Sequence, residues 1–374
     1  MFHLISGIPW LVVAARFLLP LPWHLSIKIA LAALLLIASQ YHYFSRLSSG
    51  SVFDPEFPRP IVIAFNVLMA TVLILAILQI LLDVVSVLAI PVKGHFPVVP
   101  PGVRYAMATV ALCLSAFGVY QATRVPALKD VEIKIEGLPA AFDGYQVVQL
   151  TDLHISRLFP RDWAAAVVAR TNELNADLIL MTGDLIDGSV EHRSQDVAPI
   201  SQLHARDGVY SVPGNHEYFF DNSAWMQEYQ RLNLRPLLNS HTVIDRGGSR
   251  IVIAGVTDRS AARFGATPPD LAVALQGAPA NAPVVLLDHQ PMAAAISAET
   301  GVDLQLSGHT HGGMVTGLDR LVARANNGFV SGLYRVGNMQ LYVSSGTALW
   351  PGFAIRIGIL PELTRITLRK AANS

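Results

Sequence analysis

"YQVVQLTDLH", residues 145–154, is a short apolar run that stops at an aspartate and a histidine two positions apart. Four later stretches repeat the form: "DLILMTGDLID" (177–187), "GVYSVPGNHE" (208–217), "PVVLLDHQP" (283–291) and "VDLQLSGHTHGG" (302–313). Each run has the length of a strand, and most are rich in Val, Ile and Leu, as strands covered on both faces are. Stretches able to form helices, such as "RDWAAAVVARTNEL" and "SAWMQEYQRLN", lie between them. Strand and helix in alternation argue for an α/β fold. In such folds the carboxyl ends of the strands line one crevice. Five ends of this kind would bring Asp152, His154, Asp184, Asn215, His216, His289, His309 and His311 into a single site.

Taken singly, Asp-x-His, Gly-Asp and Gly-Asn-His are ordinary turn chemistry. The reading rests on their joint position after five apolar runs, and on "GHTHGG", whose glycines let backbone approach a ligand closely. On an extended chain, residues two apart point to the same side, which pairs Asp152 with His154 and His309 with His311. With Asp184, Asn215 and His289 these make seven candidate metal donors, too many for one tetrahedral zinc. The set holds no thiolate, which argues against a structural zinc. It suits two divalent ions about 3.5–4 Å apart bridged by a carboxylate, for which Asp184 is the candidate. Mixed nitrogen and oxygen donors fit Mn, Fe, Zn or Co. Such a pair activates water for phosphoester hydrolysis. His216, beside Asn215, is a candidate catalytic residue that stabilises phosphoryl oxygens or protonates the leaving group. Asp187, one turn past Asp184, is the candidate that fixes its ring orientation and tautomer. His192, His204 and His241 follow no such pattern and read as surface or loop residues.

Composition divides the 374 residues near position 128, into a helical region (1–128) and an α/β region (129–374). The first part holds only seven of the 27 Lys/Arg and three of the 27 Asp/Glu of a chain that is 52% hydrophobic and 14% charged. About 20 apolar residues cross the hydrocarbon core as a helix. Ile29 to Phe44, Ile61 to Ile90 and Val103 to Tyr120 come close to that length or exceed it, with turn-rich connections between them. Leu4 to Leu21, interrupted by Pro9, Arg16 and Pro20, reads as a fourth span, because it lacks the basic start and cleavage site of a signal peptide. Asp83 lies within the third span but close enough to its end to sit among lipid headgroups, and Arg16 can reach the same zone by snorkelling.

With both termini cytoplasmic, Arg46, Arg59, Arg124, Lys129 and Lys134 are inside against Lys28, Lys93 and Arg104 outside. That is a narrow margin for the positive-inside rule and for a cytoplasmic catalytic region. Zero net charge without a basic block gives no footprint for nucleic acid. The one cysteine, Cys113, excludes an intrachain disulfide. Asp83 and Arg16 are few polar groups for a transport path, and nothing in the sequence specifies an oligomeric state.

The five motifs, D-x-H at Asp152, G-D-x-x-D from Gly183 to Asp187, G-N-H-E from Gly214 to Glu217, His289 and G-H-x-H from Gly308 to His311, resemble the calcineurin-like metallophosphoesterase superfamily. The resemblance covers residues 129–374. It implies a four-layer αββα sandwich in which one metal is held by Asp152, His154 and His311 and a second by Asn215, His289 and His309, with Asp184 shared. The C-terminal stretch from Phe329 looks like the membrane-associated bacterial branch described as transmembrane protein with metallophosphoesterase domain. That likeness implies a multi-pass protein of the bacterial inner membrane, surrounded by lipids and acting on a phosphoester substrate, lipid-linked in relatives that cleave the pyrophosphate of UDP-2,3-diacylglucosamine. Met314 stands where that branch commonly has glutamine, which puts a contact behind the metals or to substrate in question. The stretches near Phe329 to Tyr334 and Leu349 to Phe353 either form a lip for acyl chains or pack against the second sheet. The reading from another class is a non-catalytic membrane sensor or scaffold that binds metal or ligand through the same residues.

Overall fold

The computed structural model describes residues 2–371, and side chains from residue 6 onward. It divides into two compact units. One comprises the chain up to Ala122 together with Pro351–Ile357, and the other comprises Thr123–Trp350 with the chain from Gly358 on.

The first unit is helical. Arg59–Lys93 and Pro101–Thr123 are long and apolar enough to cross a membrane, and Leu25–Ser39 with Tyr41–Ser49 makes a third candidate if that pair, bent by 53°, counts as one span. The straight helix expected over Ile29 to Phe44 is thus broken at Gln40. Beyond the break only Tyr41, His42 and Ser45 are buried, so the chain lies as an amphipathic segment. The first apolar stretch forms a shorter helix, Ser6–Leu18, that ends in a π-helical turn carrying Arg16. Arg16 does not snorkel alone: its Nε and Nη2 donate to the two carboxylate oxygens of Asp83 at 3.0 Å. Gln79 Nε2 also donates to Asp83 (2.8 Å), and Arg104 donates to Gln79 Oε1 (2.9 Å). Pairing of this kind lowers the cost of ionised groups in a low-dielectric surround. The segment Pro351–Ile357 is fixed within this unit by Tyr41 Oη and Asn66 Nδ2, which both donate to the Pro351 carbonyl (3.0 and 2.9 Å), and by Arg356 N donating to Gly118 O (3.0 Å).

Among its described residues the second unit holds twelve strands: β1 Ala127–Ile135, β2 Gln146–Leu150, β3 Leu178–Thr182, β4 Val209–Val212, β5 Arg235–Pro236, β6 Ser240–Arg246, β7 Ser249–Gly255, β8 Val284–Leu287, β9 Leu304–Ser307, β10 Gly332–Val336, β11 Met339–Val343 and β12 Glu362–Lys370. They form two six-stranded sheets, ordered β1-β12-β2-β3-β4-β5 and β10-β11-β9-β8-β7-β6. Strands β2 to β5 are mutually parallel, as are β7, β8, β9 and β11. Antiparallel pairs are β12 with β2, β10 with β11 and β6 with β7.

Period-two alternation assigns the strand faces. Ile251, Ile253, Val285 and Leu287 join Val147, Leu178, Leu180 and Val212 of the first sheet in the core between the sheets. Their sequence neighbours Val252, Ala254 and Leu286 pack with Ala274, Ala294 and Val302 on the outer face of the second sheet. The first sheet's crossover helix Arg161–Asn172 buries Trp163, Ala164, Val167 and Val168. The layers are therefore helix, sheet, sheet, helix, the sandwich expected. Each fully buried Leu or Ile adds about 1.5–3 kcal/mol. Phe329 and Tyr334 pack on the outer cluster of the second sheet, where they cover apolar side chains.

Candidate metal centre

All five motifs follow parallel strands. Asp152 and His154 come after β2, Asp184 and Asp187 after β3, Asn215 and His216 after β4, His289 after β8, and His309 and His311 after β9. The crevice is lined by both sheets, because β2 to β4 belong to one and β8 and β9 to the other. The pairs two residues apart do not share a side by strand alternation. Asp152 (φ 53°), His154 (φ 44°), Asp184 (φ 53°), His309 (φ 68°) and His311 (φ 50°) all adopt the left-handed region. Non-glycine residues there are strained by about 1–3 kcal/mol each and persist where surrounding structure holds them, typically at functional sites. The strand has ended, and the turn re-aims each side chain separately.

The donors gather into three overlapping groups: Asp152, His154 and His311; His154, Asp184 and His216; and Asp184, His289 and His309. Within each group the candidate ligand atoms lie within 4.8 Å of one another. His309 and His311 fall in different groups. Asn215 Oδ1 is 3.2 Å from His289 Nε2, which brings the amide to the third group. Close approach is possible because Gly183 (φ 90°) lies against the Gly214 backbone: a Cβ on Gly183 would sit 2.6 Å from Gly214 N and 2.7 Å from His289 Nδ1.

Hydrogen bonds fix two tautomers. His154 Nδ1 donates to Asp187 Oδ2 (2.9 Å) and His289 Nδ1 to the Thr182 carbonyl (2.8 Å). Each Nε2 lone pair is then turned inward. His154 Nε2 faces His311 Nε2 at 3.3 Å, and His289 Nε2 faces Asp184 Oδ2 at 3.1 Å. Buried lone pairs and carboxylates pointed at one another repel unless a proton or a cation lies among them. Burial lowers the His289 imidazole, but the neighbouring carboxylates, Asp184 first and then Asp152 and Asp258, together hold the group well above its ordinary value. His309 is the opposite case, pushed down to about 3 by burial and by the charge on His289, and so neutral with a free lone pair. Neutral imidazoles and ionised carboxylates are the donor states a divalent cation requires.

His216 stands at the edge of this cluster, its ring 4.7 Å from that of His154. Its Nδ1 lies 2.5 Å from Asp187 Oδ1, so Asp187 carries two imidazoles, His154 as well as His216. Burial lowers His216, yet Asp184 and Asp187 together raise it to about 9.

Sequence reasoning gave Glu217 no role. Its carboxylate is fully buried and accepts from Gly214 N (2.7 Å), Asp184 N (3.1 Å), Leu185 N (2.7 Å) and Tyr229 Oη (2.8 Å), tying two of the motif turns together. The available signal was an acidic residue three positions after Gly214 at the start of helix Asn215–Phe219. Met314 has φ 61°, continuing the left-handed turn. His192 and His204 are exposed, and His241 pairs with the Ala274 carbonyl at 2.7 Å.

A thiolate-free set of carboxylates, imidazoles and an amide oxygen at the strand ends of two facing sheets has the donor chemistry of a site for a pair of divalent ions. The model of the calcineurin-like phosphoesterase family matches residues 145–313. The chain is 34% identical over 271 residues to "transmembrane protein with metallophosphoesterase domain" of Danio rerio and 36% identical over 274 residues to the Bos taurus protein of that description. Each match covers 70% of this chain, and 62% and 61% of the respective relatives, so the chain spans about three fifths of their length. An uncharacterized metallophosphoesterase of Campylobacter jejuni is 30% identical over 264 residues, covering 69% of this chain and 68% of that protein. The chain belongs to the calcineurin-like metallophosphoesterase family, whose members are metal-dependent phosphoesterases that use two divalent ions. Relatives in animals as well as bacteria widen the branch named from the sequence. The apolar helices and the transmembrane relatives associate the chain with a membrane.

Proposed function

We propose that this protein is a membrane-bound phosphodiesterase or pyrophosphatase in which Asp152, His154 and His311 hold one metal ion, Asn215, His289 and His309 hold the second, and Asp184 bridges them. The observation that carries the reading is the pair of outer donor groups, Asp152/His154/His311 and Asp184/His289/His309, joined through a middle group that shares His154 and Asp184 and ends on His216. Held by these residues, a pair of divalent ions would supply an activated water and charge neutralisation for the phosphoryl oxygens. Asp187 holds His154 in the tautomer that presents Nε2 and, with its other oxygen, aligns His216. His216, whose Nδ1 is held by Asp187, is the candidate to donate a proton from its ring to the departing oxygen, as a general acid within reach of the reacting group would. Glu217 keeps the turns bearing Asp184 and Asn215 in register.

The favoured substrate is a nucleotide-sugar lipid such as UDP-2,3-diacylglucosamine. A hydrolase tethered by the apolar helices that end at Thr123 meets such a molecule at raised effective concentration. In this reading the protein crosses a bacterial inner membrane several times, with residues 129–374 on the cytoplasmic side. A reporter fused to the C-terminus tests the orientation, since a periplasmic result excludes a substrate made in the cytoplasm. For the activity, detergent-solubilised protein is assayed with Mn²⁺ on bis(p-nitrophenyl) phosphate. Turnover lost in D184N and H216A is expected. Metal binding without turnover across a panel of phosphoesters would instead favour a sensor or scaffold.

A further inference from the structure

Among the described residues of the α/β unit, Phe264 is the one Phe, Tyr or Trp side chain that stays exposed, at 46%. A single exposed apolar residue needs no explanation by itself, but this one ends an aromatic row that starts at His216. The His216 and Phe219 rings lie 5.0 Å apart, Phe219 and Phe264 lie 5.8 Å apart, and Tyr218 backs Phe264 at 6.4 Å. Phe219 is one helical turn past His216, so both project from the same face of the short helix Asn215–Phe219.

Phe264 belongs to the 3₁₀ turn Arg259–Phe264, which is held firmly. Asp258, fully buried, caps it by accepting from Ser260 N (2.8 Å), and Gln290 Nε2 donates to both Asp258 oxygens (3.1 and 2.9 Å). Gln290 follows His289 directly, so the turn is fastened to a strand end of the metal centre. The turn also carries Arg259 and Arg263, both exposed, and no acidic side chain.

We propose that Phe219 and Phe264 form a stacking platform for a planar ring on the departing side of the substrate, so that this centre prefers phosphodiesters or pyrophosphates bearing a nucleoside or other flat group beside His216. The inference rests on the reading of the centre as a phosphoryl-transfer site. An aromatic face binds any planar ring without regard to its hydrogen-bonding edge, and stacking of a base on an aromatic side chain is large enough to raise affinity about tenfold or more. The arginines favour an anionic ligand over a neutral aromatic one.

The test uses the Mn²⁺-loaded full chain in detergent and two dianions that differ only in the group on phosphorus, phenylphosphonate and methylphosphonate, titrated calorimetrically. Phenylphosphonate is expected to bind about tenfold more tightly than methylphosphonate. The ratio falls to about one in F264A and is restored in F264W. F264L, which keeps apolar cover over Tyr218 without a ring, gives the same loss in a protein whose melting temperature is preserved. Equal affinities in the unaltered protein, or a ratio that survives both F264A and F264L, overturn the platform. Failure of either phosphonate to bind overturns the phosphoryl-centre reading on which it rests.

Discussion

Glu217 offers the sharpest test of how the centre is assembled. Its two oxygens accept three backbone N–H bonds and one phenol bond in a site closed to water. In E217Q one oxygen becomes an NH₂ group. If nitrogen replaces Oε2, it confronts the N–H groups of Asp184 and Gly214. If it replaces Oε1, it confronts Leu185 N–H alone, since the Tyr229 hydroxyl can rotate to accept. The second arrangement costs less, yet still loses one backbone bond to a charged acceptor and leaves a buried donor unmet. Each such loss is about 1.5–3 kcal/mol, which sets the expected destabilisation at about 2–3 kcal/mol. For a domain of this size that is a fall of roughly 5–10 °C in melting temperature. E217A leaves all three N–H groups without an acceptor and loses about 3 kcal/mol or more, a large part of a domain's total stability. The assay is a thermal melt of the solubilised parent and variants at one fixed scan rate, because the midpoint of any irreversible transition moves with scan rate, with Mn²⁺ affinity measured alongside. Because Leu185 directly follows Asp184, an unmet Leu185 N–H in E217Q disturbs the turn that aims the Asp184 carboxylate, and E217A removes the acceptor of Asp184 N as well, so metal affinity should fall with stability. A melting temperature within 1–2 °C of the parent (roughly the scatter of such melts) and unchanged Mn²⁺ binding would refute the idea that this carboxylate holds the two turns.

D187N should weaken Mn²⁺ binding and turnover together, by about 10–100-fold, because asparagine has one acceptor where two imidazoles need one each; calorimetry and kcat check it. In metal-stripped protein, nitrogen-15 NMR should find His216 protonated at neutral pH, with its pKa near 9 against about 6.5 unfolded. The folded value is the higher one, so its contribution to stability is complete below pH ~6.5 and is lost as pH rises through about 9; D187N should shift the titration downward. In the helical unit, R16A and D83A should each cost about 1 kcal/mol in mixed-micelle unfolding, with D83A the worse because Gln79 also loses its acceptor, and R16D/D83R should recover part of the loss.

The parts of the fold that sequence revealed are those whose burial is written locally. Strands β2, β3, β8 and β9 are covered on both faces, so they appear as short runs dominated by Val, Ile and Leu, and their ends carry residues that ordinary turns do not need. Strand β1 was not visible this way. "ALKDVEIKI" buries only Ile133 and Ile135, and its register with β12 joins residues some 235 positions apart, as the Arg365–Asp130 hydrogen bond across them does. The stretch Leu349 to Phe353 was read as lip or sheet packing because its apolar character is local, whereas the partners of Pro351 within it, Tyr41 and Asn66, are far away in the chain.

At the centre the same distinction holds at atomic scale. Residue types and their positions after strands announced a cluster of donors, but not its geometry. Spacing suggested that Asp152 and His154, and His309 and His311, act as pairs on one side of an extended chain; the first two do meet, through turns of positive φ rather than strand alternation, whereas His309 and His311 diverge. The divergence places His309 with Asp184 and His289, and His311 with Asp152 and His154. A two-residue spacing is therefore informative here because it marks a turn forced into the left-handed region, where a strand's alternation no longer applies. Glu217 completes the point. Holding such strained turns takes a buried acceptor for their N–H groups, and a glutamate three residues after the Gly-Asn turn can supply one without touching a metal. The glutamate beside a histidine motif is thus expected to govern metal affinity through backbone geometry, which is why its replacement, rather than that of another ligand, separates assembly of the centre from its chemistry.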